Sequence, residues 1–525
     1  MDLGVGGSSP FVRRPSSFVH HPAMLITELI SHQAARRGAH PFIRHEGRAV
    51  GYDEFDRLSN RAARAFGELG VRKGDRVTLG MGNSVEYLVT AFGVLKAGAI
   101  LHPINAALGA SELSYILGHA EPRVIVTDAS GIESLTSPRL QRPAGAVLAA
   151  FGVSADVDFA ARLAAASDAP VEVGLSAGDG STLLYTSGTT GRPKGVLFHH
   201  GSTGGAAQHF IDLLGVGADD TLLAVTPLFH GNAWGAATTA LAAGATVAFP
   251  KAFRASEFWP LVHEVHATVL YTLGTILAIL LRQAPSPLER DNPLRVILGL
   301  GSAPIRDEVI RRFGVAGVAE CFGSTDAGVV TMTPLDAAPR KGSAGPAVPG
   351  VTIAVIDDDG RELPPGTPGE IVIRSPHRMA EYFRDPEQTA EALRDGWFHT
   401  GDLGTLDADG WLYFVDRKRD VIRRGGENMS SALIEKNLCE HPAVAEAAVI
   451  GVPDPVLGQE VKAFIVARAP VTPDELRAFA TERLAKFQVP RLWEFRDNLP
   501  KTPTQRVEKY KLRQESGGGD KPLLG

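Results

Sequence analysis

The stretch LLYTSGTTGRPKGVLFHH, residues 183–200, sets Thr186, Ser187, Thr189 and Thr190 among Gly188, Gly191 and Gly195, and adds Lys194. Hydroxyls, exposed backbone N–H groups and a compact positive charge are the ingredients of a site for polyphosphate. Gly188 and Gly191 let the chain close tightly over an anion. The pattern is not a Walker A loop, which reads G-x-x-x-x-G-K-[ST] and uses the last hydroxyl for magnesium. Counted from Gly188, the sixth position is Pro193, and Lys194 is followed by Gly195. Taken alone, such a loop is commonly no more than a polar connection between two strands, here TLLYT and GVLFHH, so the rest of the chain must decide.

Five further stretches carry side chains of chemical interest: PLFHGN (227–232), GLGSAPI (299–305), ECFGSTDAG (320–328), GWFHTGDLG (396–404) and DRKRDVIRRGGENMSS (416–431). Each has a bland reading by itself. Phe322 reads as core, Asp402 as a turn residue, His230 beside Phe229 as structural, and GGENMSS as a loop entering a helix capped by Ser430 or Ser431.

The elements that must position these groups are legible in the periodicity. MLITELISHQAARRG and YDEFDRLSNRAARAFGELG repeat as helices, while DRVTLGM, PRVIVTDA, ATVAFP, ATVLYTL and LRVILGLG are short buried strands. That alternation predicts parallel sheets with crossover helices. From about Val351 the texture changes: TIAVIDDDGREL, GEIVIRS and GWLYFVDRKRDVI alternate and are joined by Asp-Gly turns, the mark of a small antiparallel, barrel-like piece. Beyond the charged link DRKRD, the strands AEAAVIGV and EVKAFIVA precede a helix, TPDELRAFATERLAKF. Thr472 as N-cap, Pro473 at the first position and Glu475 at the third form a capping box, and the helix is expected to stop ahead of Pro490.

A chain of 525 residues exceeds what one core serves. Its hydrophobic content of 44% and charged content of 21% describe a soluble globular protein, and a net charge of −6 gives no basic field for nucleic acid. Cys321 and Cys439 lie far apart without metal-ligand spacing, which points to a reducing compartment, each cysteine acting as a buried small hydrophobe. The opening MDLGVGGSSPFVRRPSSFVHHP has no apolar run behind Arg13 and Arg14, so it reads as a flexible arm and not a signal peptide. TVLYTLGTILAILL (268–281) is too short to span a bilayer and ends at Arg282, so core is expected, in a cytosolic protein without a membrane partner.

Taken in order, the six stretches resemble the adenylate-forming superfamily of acyl-CoA synthetases, amino-acid adenylation domains and firefly-type luciferases. The opening stretch matches that family's phosphate loop, Y-[ST]-S-G-T-T-G-x-P-K-G, from Tyr185 to Gly195, and GGENMSSALIE is nearest in texture to small-acid and carnitine-type CoA ligases. The resemblance implies an α/β amino-terminal domain of two sheets plus a small barrel, hinged near Arg419 to a mobile α+β carboxy-terminal domain. The expected divisions are an arm (1–20), the large domain (21–416, its barrel about 345–416), the small domain (417–514) and a disordered tail (515–525).

The implied chemistry has two steps, attack of a carboxylate on the α-phosphate of ATP and displacement of AMP by the thiol of CoA, both dominated by charge stabilisation. By resemblance, Thr186, Ser187, Gly188, Thr189, Thr190, Gly191 and Lys194 handle the β- and γ-phosphates. Gly301, Ser302, Ala303, Phe322 and Gly323 enclose adenine, an aromatic face being suited to a purine. Asp402 takes the ribose with Arg417 nearby, Thr325 donates to the α-phosphate, and Asp326 holds Mg2+. His230 gates an acyl pocket with Asn232, Trp234, Tyr271, Gly274, Leu300 and Val329, where the bulk of Trp234 and Tyr271 favours a small or aromatic acid. Gly425, Gly426 and Glu427 lie on the CoA side. The chain departs from the family twice. Asp326 stands where Glu is usual, with the right oxygen donors on a shorter arm. The closing P-K-T-x-x-G-K is here PKTPTQR, which puts Arg506 at the catalytic lysine's place, ahead of Lys509. An amine acceptor, including nitrite-activated diazotisation of an aryl amine, and a nucleotide-binding relative without turnover are the competing readings. The acid and the oligomeric state, homodimer included, stay open.

Overall fold

The computed structural model describes residues 24–186, 193–335, 337, 340–357, 359–417, 421–500, 507 and 509–516. The expected arm, residues 1–20, and residues 517–525 of the expected tail lie outside them.

Two large sheets make up the amino-terminal part. One has eight strands, in the order Glu381–Tyr382, Lys194–His199, Gly180–Thr186, Ile100–Pro103, Arg76–Gly80, Val124–Thr127, Val147–Ala150 and Val157–Asp158. It is parallel except for the hairpin that carries residues 180–199 and the short edge strand beyond it. The other has seven, in the order Gly317–Ala319, Val296–Leu300, Val269–Leu273, Thr221–Ala224, Thr246–Ala248, Pro41–His45 and Arg48–Gly51. Its central strands are apolar and almost wholly buried, as a parallel sheet covered on both faces demands. The helices Tyr52–Glu68 and Val85–Lys96 lie in contact so close that a Cβ on Gly93 would stand 2.3 Å from that of Ala62. Phe42, Tyr52, Phe55 and Phe92 fill the core beside them with ring centres 4.7–5.3 Å apart.

A third, antiparallel sheet runs Gly345–Pro346, Trp411–Arg417, Trp397–Leu406, Gly369–Arg374 and Thr352–Ile356. The carboxy-terminal sheet runs Glu427–Ser430, Val421–Arg424, Gly458–Ala467 and Val444–Asp454, with Leu492–Phe495 added parallel to the long strand 458–467. The helices Ser431–Cys439 and Pro473–Thr481 cover it around a separate core of Ile434, Leu438, Leu476 and Ala480. The architecture is the expected mixed α/β amino-terminal part followed by a small α+β part.

Three local expectations meet the structure differently. The capping box is present, with Thr472 N–H donating to Glu475 at 2.8 Å and Glu475 N–H to Thr472 Oγ1 at 3.3 Å. The helix ends at Thr481, ahead of Pro490 as expected but short of Phe487, and the chain continues through turns at 482–488, one of them closed by Ala485 N–H donating to Gln488 Oε1 at 2.9 Å. The apolar run 268–281 divides into the strand Val269–Leu273 and the helix Gly274–Arg282, and among the described residues no helix is long and apolar enough to cross a membrane. Cys321 is buried as expected, but Cys439 is exposed. It ends its helix one residue past the buried Leu438, a rotation of about 100° off the apolar stripe.

Candidate adenylation and transfer site

On the side expected to take phosphate, Thr186 and Lys194 are cross-strand partners at the loop end of the hairpin. The loop between them carries Ser187, Gly188, Thr189, Thr190 and Gly191 and falls outside the described residues. Lys194 Nζ lies 4.5 Å from the centre of the Tyr382 ring, and the Tyr382 hydroxyl donates to Asp326 Oδ2 at 2.5 Å. Thr325 and Asp326 sit in the turn between Cys321–Ser324 and Gly328–Met332, closed by Ala327 N–H donating to Ser324 Oγ at 3.1 Å. The structure therefore brings Lys194 and Asp326, expected at opposite ends of the triphosphate chemistry, onto one tyrosine.

The adenine side is built around Glu320. Strand Val296–Leu300 ends in Gly301, whose φ of +75° is the left-handed region a glycine enters freely. The following loop turns its donors onto the Glu320 carboxylate: Gly301 N–H at 2.7 Å, Ser302 N–H at 2.6 Å and Ser302 Oγ at 2.8 Å. Burial pushes the Glu320 carboxyl up from its ordinary range while these donors pull against the rise. Phe322 follows at two residues' distance, half-buried, its ring 5.8 Å from that of Phe414. Gly323 leaves no room for a side chain, since a Cβ there would stand 2.3 Å from the Gly328 carbonyl oxygen. Asp402 is buried and sits inside the strand Trp397–Leu406, not in a turn. Arg417, expected nearby, is its backbone partner on the neighbouring strand.

The acyl side joins the two parts of the chain. His230 occupies the N-cap position of the helix Gly231–Ala243, and its Nε2 lies 2.9 Å from Glu427 Oε1. Glu427 follows a two-residue turn of Gly425 and Gly426, with φ of +59° and +88°, which joins Val421–Arg424 to Glu427–Ser430 in the geometry of tight hairpins. The turn abuts the strand end at Leu273, so that a Cβ on Gly426 would stand 2.3 Å from Leu273 Cδ1. Of the expected pocket residues, Asn232 is tied by Thr226 Oγ1 donating to its Oδ1 at 3.3 Å and its own Nδ2 donating to the Thr272 carbonyl at 3.5 Å. Leu300 and Val329 are half-buried at strand ends. Tyr271 and Gly274 depart from the expectation. Tyr271 has no exposed surface, packs on Phe210 and donates to Thr239 at 3.3 Å, so it is core here. Gly274 is pressed against the Gly301 carbonyl, where a Cβ would meet the oxygen at 2.0 Å. Trp234 leans on Phe92, ring centres 5.1 Å apart, at the edge of the same core.

The carboxy-terminal part is docked at a second place, where Gln488 Nε2 donates to Glu112 Oε2 at 3.3 Å and Arg139 reaches the Glu482 carbonyl at 3.5 Å. Burial raises the Glu112 carboxyl to about 6. Arg419 and Arg506, the expected pivot and the expected catalytic cation, lie outside the described residues. Lys509 Nζ is engaged within the carboxy-terminal part, 2.6 Å from Glu435 and 2.7 Å from Ser431 Oγ. Tyr382, Glu320 and Glu112 were not singled out in the sequence. Glu320 had a signal, a lone charge between the apolar pairs of VAECF, and Tyr382 had only its place in an edge strand that depends on tertiary pairing.

No group of three or more His, Cys, Asp or Glu side chains is placed to hold a metal ion among the described residues. One carboxylate at Asp326 still suits magnesium, which commonly takes one or two protein oxygens and fills its octahedron with phosphates and waters.

Known proteins match along the whole length of this arrangement. The AMP-binding enzyme family matches residues 30–383, and the AMP-binding enzyme C-terminal domain matches residues 433–506. Feruloyl-CoA synthase of Amycolatopsis sp is 35% identical over 489 residues, covering 90% of this chain and 96% of that one. Among solved structures, o-succinylbenzoate CoA synthetase (MenE) from Bacillus subtilis superposes with a TM-score of 0.84 at 28% identity, over 93% of this chain and 98% of its own. The amide bond synthetase McbA from Marinactinospora thermotolerans does so with 0.85 at 27% identity, over 94% and 99%. With the family's two models matching in order over residues 30–383 and 433–506, and a CoA synthase relative covered over nearly all its length, this chain belongs to the AMP-binding enzyme family and is an ATP-dependent, AMP-forming ligase of the adenylate-forming superfamily.

Proposed function

We propose that the protein activates a carboxylic acid as its adenylate and passes the acyl group to CoA, releasing pyrophosphate and AMP. The observation that supports the CoA step is the Gly425–Gly426 turn pressed on Leu273, with Glu427 bonded to His230, which would set a thiol-side hairpin beside the proposed acyl pocket. Lys194 and the hydroxyls of 186–190 bind the β- and γ-phosphates, Asp402 and Arg417 the ribose, and the loop 301–303 with Phe322 the base. Asp326 would hold magnesium, which when bound neutralises charge on the phosphates. Thr325 donates to the α-phosphate, and Arg506 reaches it from the carboxy-terminal domain, which pivots near Arg419 between residues 21–416 and 417–514. With Tyr271 in the core, the preference for a short or aromatic acid rests on the bulk of Trp234 alone. The test is ATP–pyrophosphate exchange across a panel of short, aromatic and long-chain acids, followed by AMP release with and without CoA for the acid that exchanges best. Release that accelerates with CoA is expected. Release indifferent to CoA and driven by an amine, alone or with nitrite, would overturn the acceptor.

A further inference from the structure

We propose that Tyr382 is a positioning residue of the adenylation centre, holding the Asp326 carboxylate and the Lys194 ammonium in fixed relation before the nucleotide arrives. The inference rests on the assignment of those two groups to magnesium and phosphate made above. The segment around Tyr382 is stitched to both of them through the backbone. Met379 N–H donates to the Asp326 carbonyl at 2.7 Å, while Ala380 N–H and Phe383 N–H donate to the carbonyls of Leu197 and Gly195, at 2.8 Å and 2.7 Å, on the strand that begins at Lys194. Tyr382 N–H donates in turn to Thr389 Oγ1 at 3.0 Å, anchoring the tyrosine to the helix Pro386–Ala392.

The side chain then divides its chemistry. Its ring face covers Lys194 Nζ at 4.5 Å, a cation over the negative face of an aromatic ring. Its hydroxyl donates to Asp326 Oδ2 at 2.5 Å, and the residue is only 6% exposed, so the bond is sheltered from water. A carboxylate accepts and cannot donate, so the phenol supplies the proton of this bond. Aspartate has one methylene less than the glutamate usual at this place, and its reach toward a metal is correspondingly shorter. A donor that fixes one oxygen decides where the carboxylate points, in the way that outer partners orient the ligands of metal sites.

Tyr382→Phe keeps the ring over Lys194 and removes only the hydroxyl. In ATP–pyrophosphate exchange the magnesium concentration for half-maximal rate should rise about tenfold, the effect typical of losing a residue that orients a ligand, and by more than kcat falls. Calorimetry should show weaker binding of ATP with magnesium and unchanged binding of ATP in excess chelator, with the thermal midpoint unmoved. An unchanged magnesium requirement and unchanged affinity for magnesium-ATP would overturn the proposal. Asp326→Ala separates the two layers of inference. If it raises the magnesium requirement and Tyr382→Phe does not, the positioning role alone is lost. If neither does, Asp326 is not the ligand and the proposal falls with it.

Discussion

The loop 301–303 and the His230–Glu427 contact are neighbours, Gly274 meeting the first and Leu273 the turn beside the second, yet they are built on opposite principles. The loop 301–303 is held by a buried carboxylate with three donors on it, all from the amino-terminal part. The His230–Glu427 pair is drawn from the two parts of the chain and about 30% exposed on each side, at 32% and 27%. A buried charge saturated with hydrogen bonds is permanent, because removing one partner strands the others without water. A half-exposed pair is worth roughly 0–1 kcal/mol. Contacts of that strength suit a surface that separates readily, as the proposed change of domain orientation between the half-reactions would require, whereas the saturated carboxylate suits a fixed platform.

The hardest test of that division lies at Arg506. If adenylation depends on a cation brought in by the mobile part, Arg506→Ala should lower adenylate formation on the order of a hundredfold or more, as loss of one oriented charge donor does, yet leave thioester formation from preformed adenylate nearly intact. Normal exchange in that variant, with Lys509→Ala defective instead, would show that the carboxy-terminal segment is threaded differently, though Lys509 is engaged by Glu435 and Ser431 here.

Glu320→Ala probes the permanent side. It leaves the buried Ser302 N–H without its acceptor, and should cost about 1–3 kcal/mol of stability, read by denaturant unfolding, together with a KM for ATP raised about tenfold or more. A variant of full stability with normal ATP kinetics would remove the loop's special status.

On the separable side, Gly426→Ala meets Leu273 and needs a side chain at φ +88°. Thioester formation should fall about tenfold, equivalent to 1.4 kcal/mol of lost docking, while ATP–pyrophosphate exchange holds. Equal losses in both half-reactions would mean that the hairpin matters to folding and not to domain exchange.

The smallest effect concerns acidity. Glu112 in the docked arrangement has its carboxyl raised to about 6 against an ordinary 4.5, so the docked form binds the proton more tightly. Its contribution to docking is therefore complete below about 4.5 and is lost as pH rises through about 6. Transfer rates relative to exchange rates should fall by a modest factor between pH 5 and pH 7 in the native chain, an interval read from that shift. Glu112→Gln should flatten the slope, and an identical slope in both would exclude this contact as its source.

Most of the fold was legible because buried parallel strands and amphipathic helices write their period into the chain, as in ATVLYTL and YDEFDRLSNRAARAFGELG. The nearness of Arg417 to Asp402 was legible from family order, whereas the hairpin of residues 180–199 and the Gly425–Gly426 hairpin turn emerge only from the strand pairing. Tyr382 and Glu112 were not, since their partners stand 56 and 376 residues away and no local pattern encodes such meetings. Tyr271 misled for a related reason: bulk is visible in a sequence, but not the direction in which a side chain on a buried strand points. The helix stops at Thr481 and gives way to turns through 488, although the helical pattern runs on to Phe487, so periodicity alone did not place the boundary.

Of the chain's two thiols, Cys321 is enclosed, and burial raises its pKa far above the usual thiol range; Cys439 stands on the surface of the carboxy-terminal part, whose reorientation is proposed above. A thiol-reactive dye should therefore mark the carboxy-terminal part alone, without any engineered residue. Paired with the tryptophan near the acyl mouth, Trp234, such a dye turns the change of domain orientation into an optical signal that follows single turnovers of the native sequence.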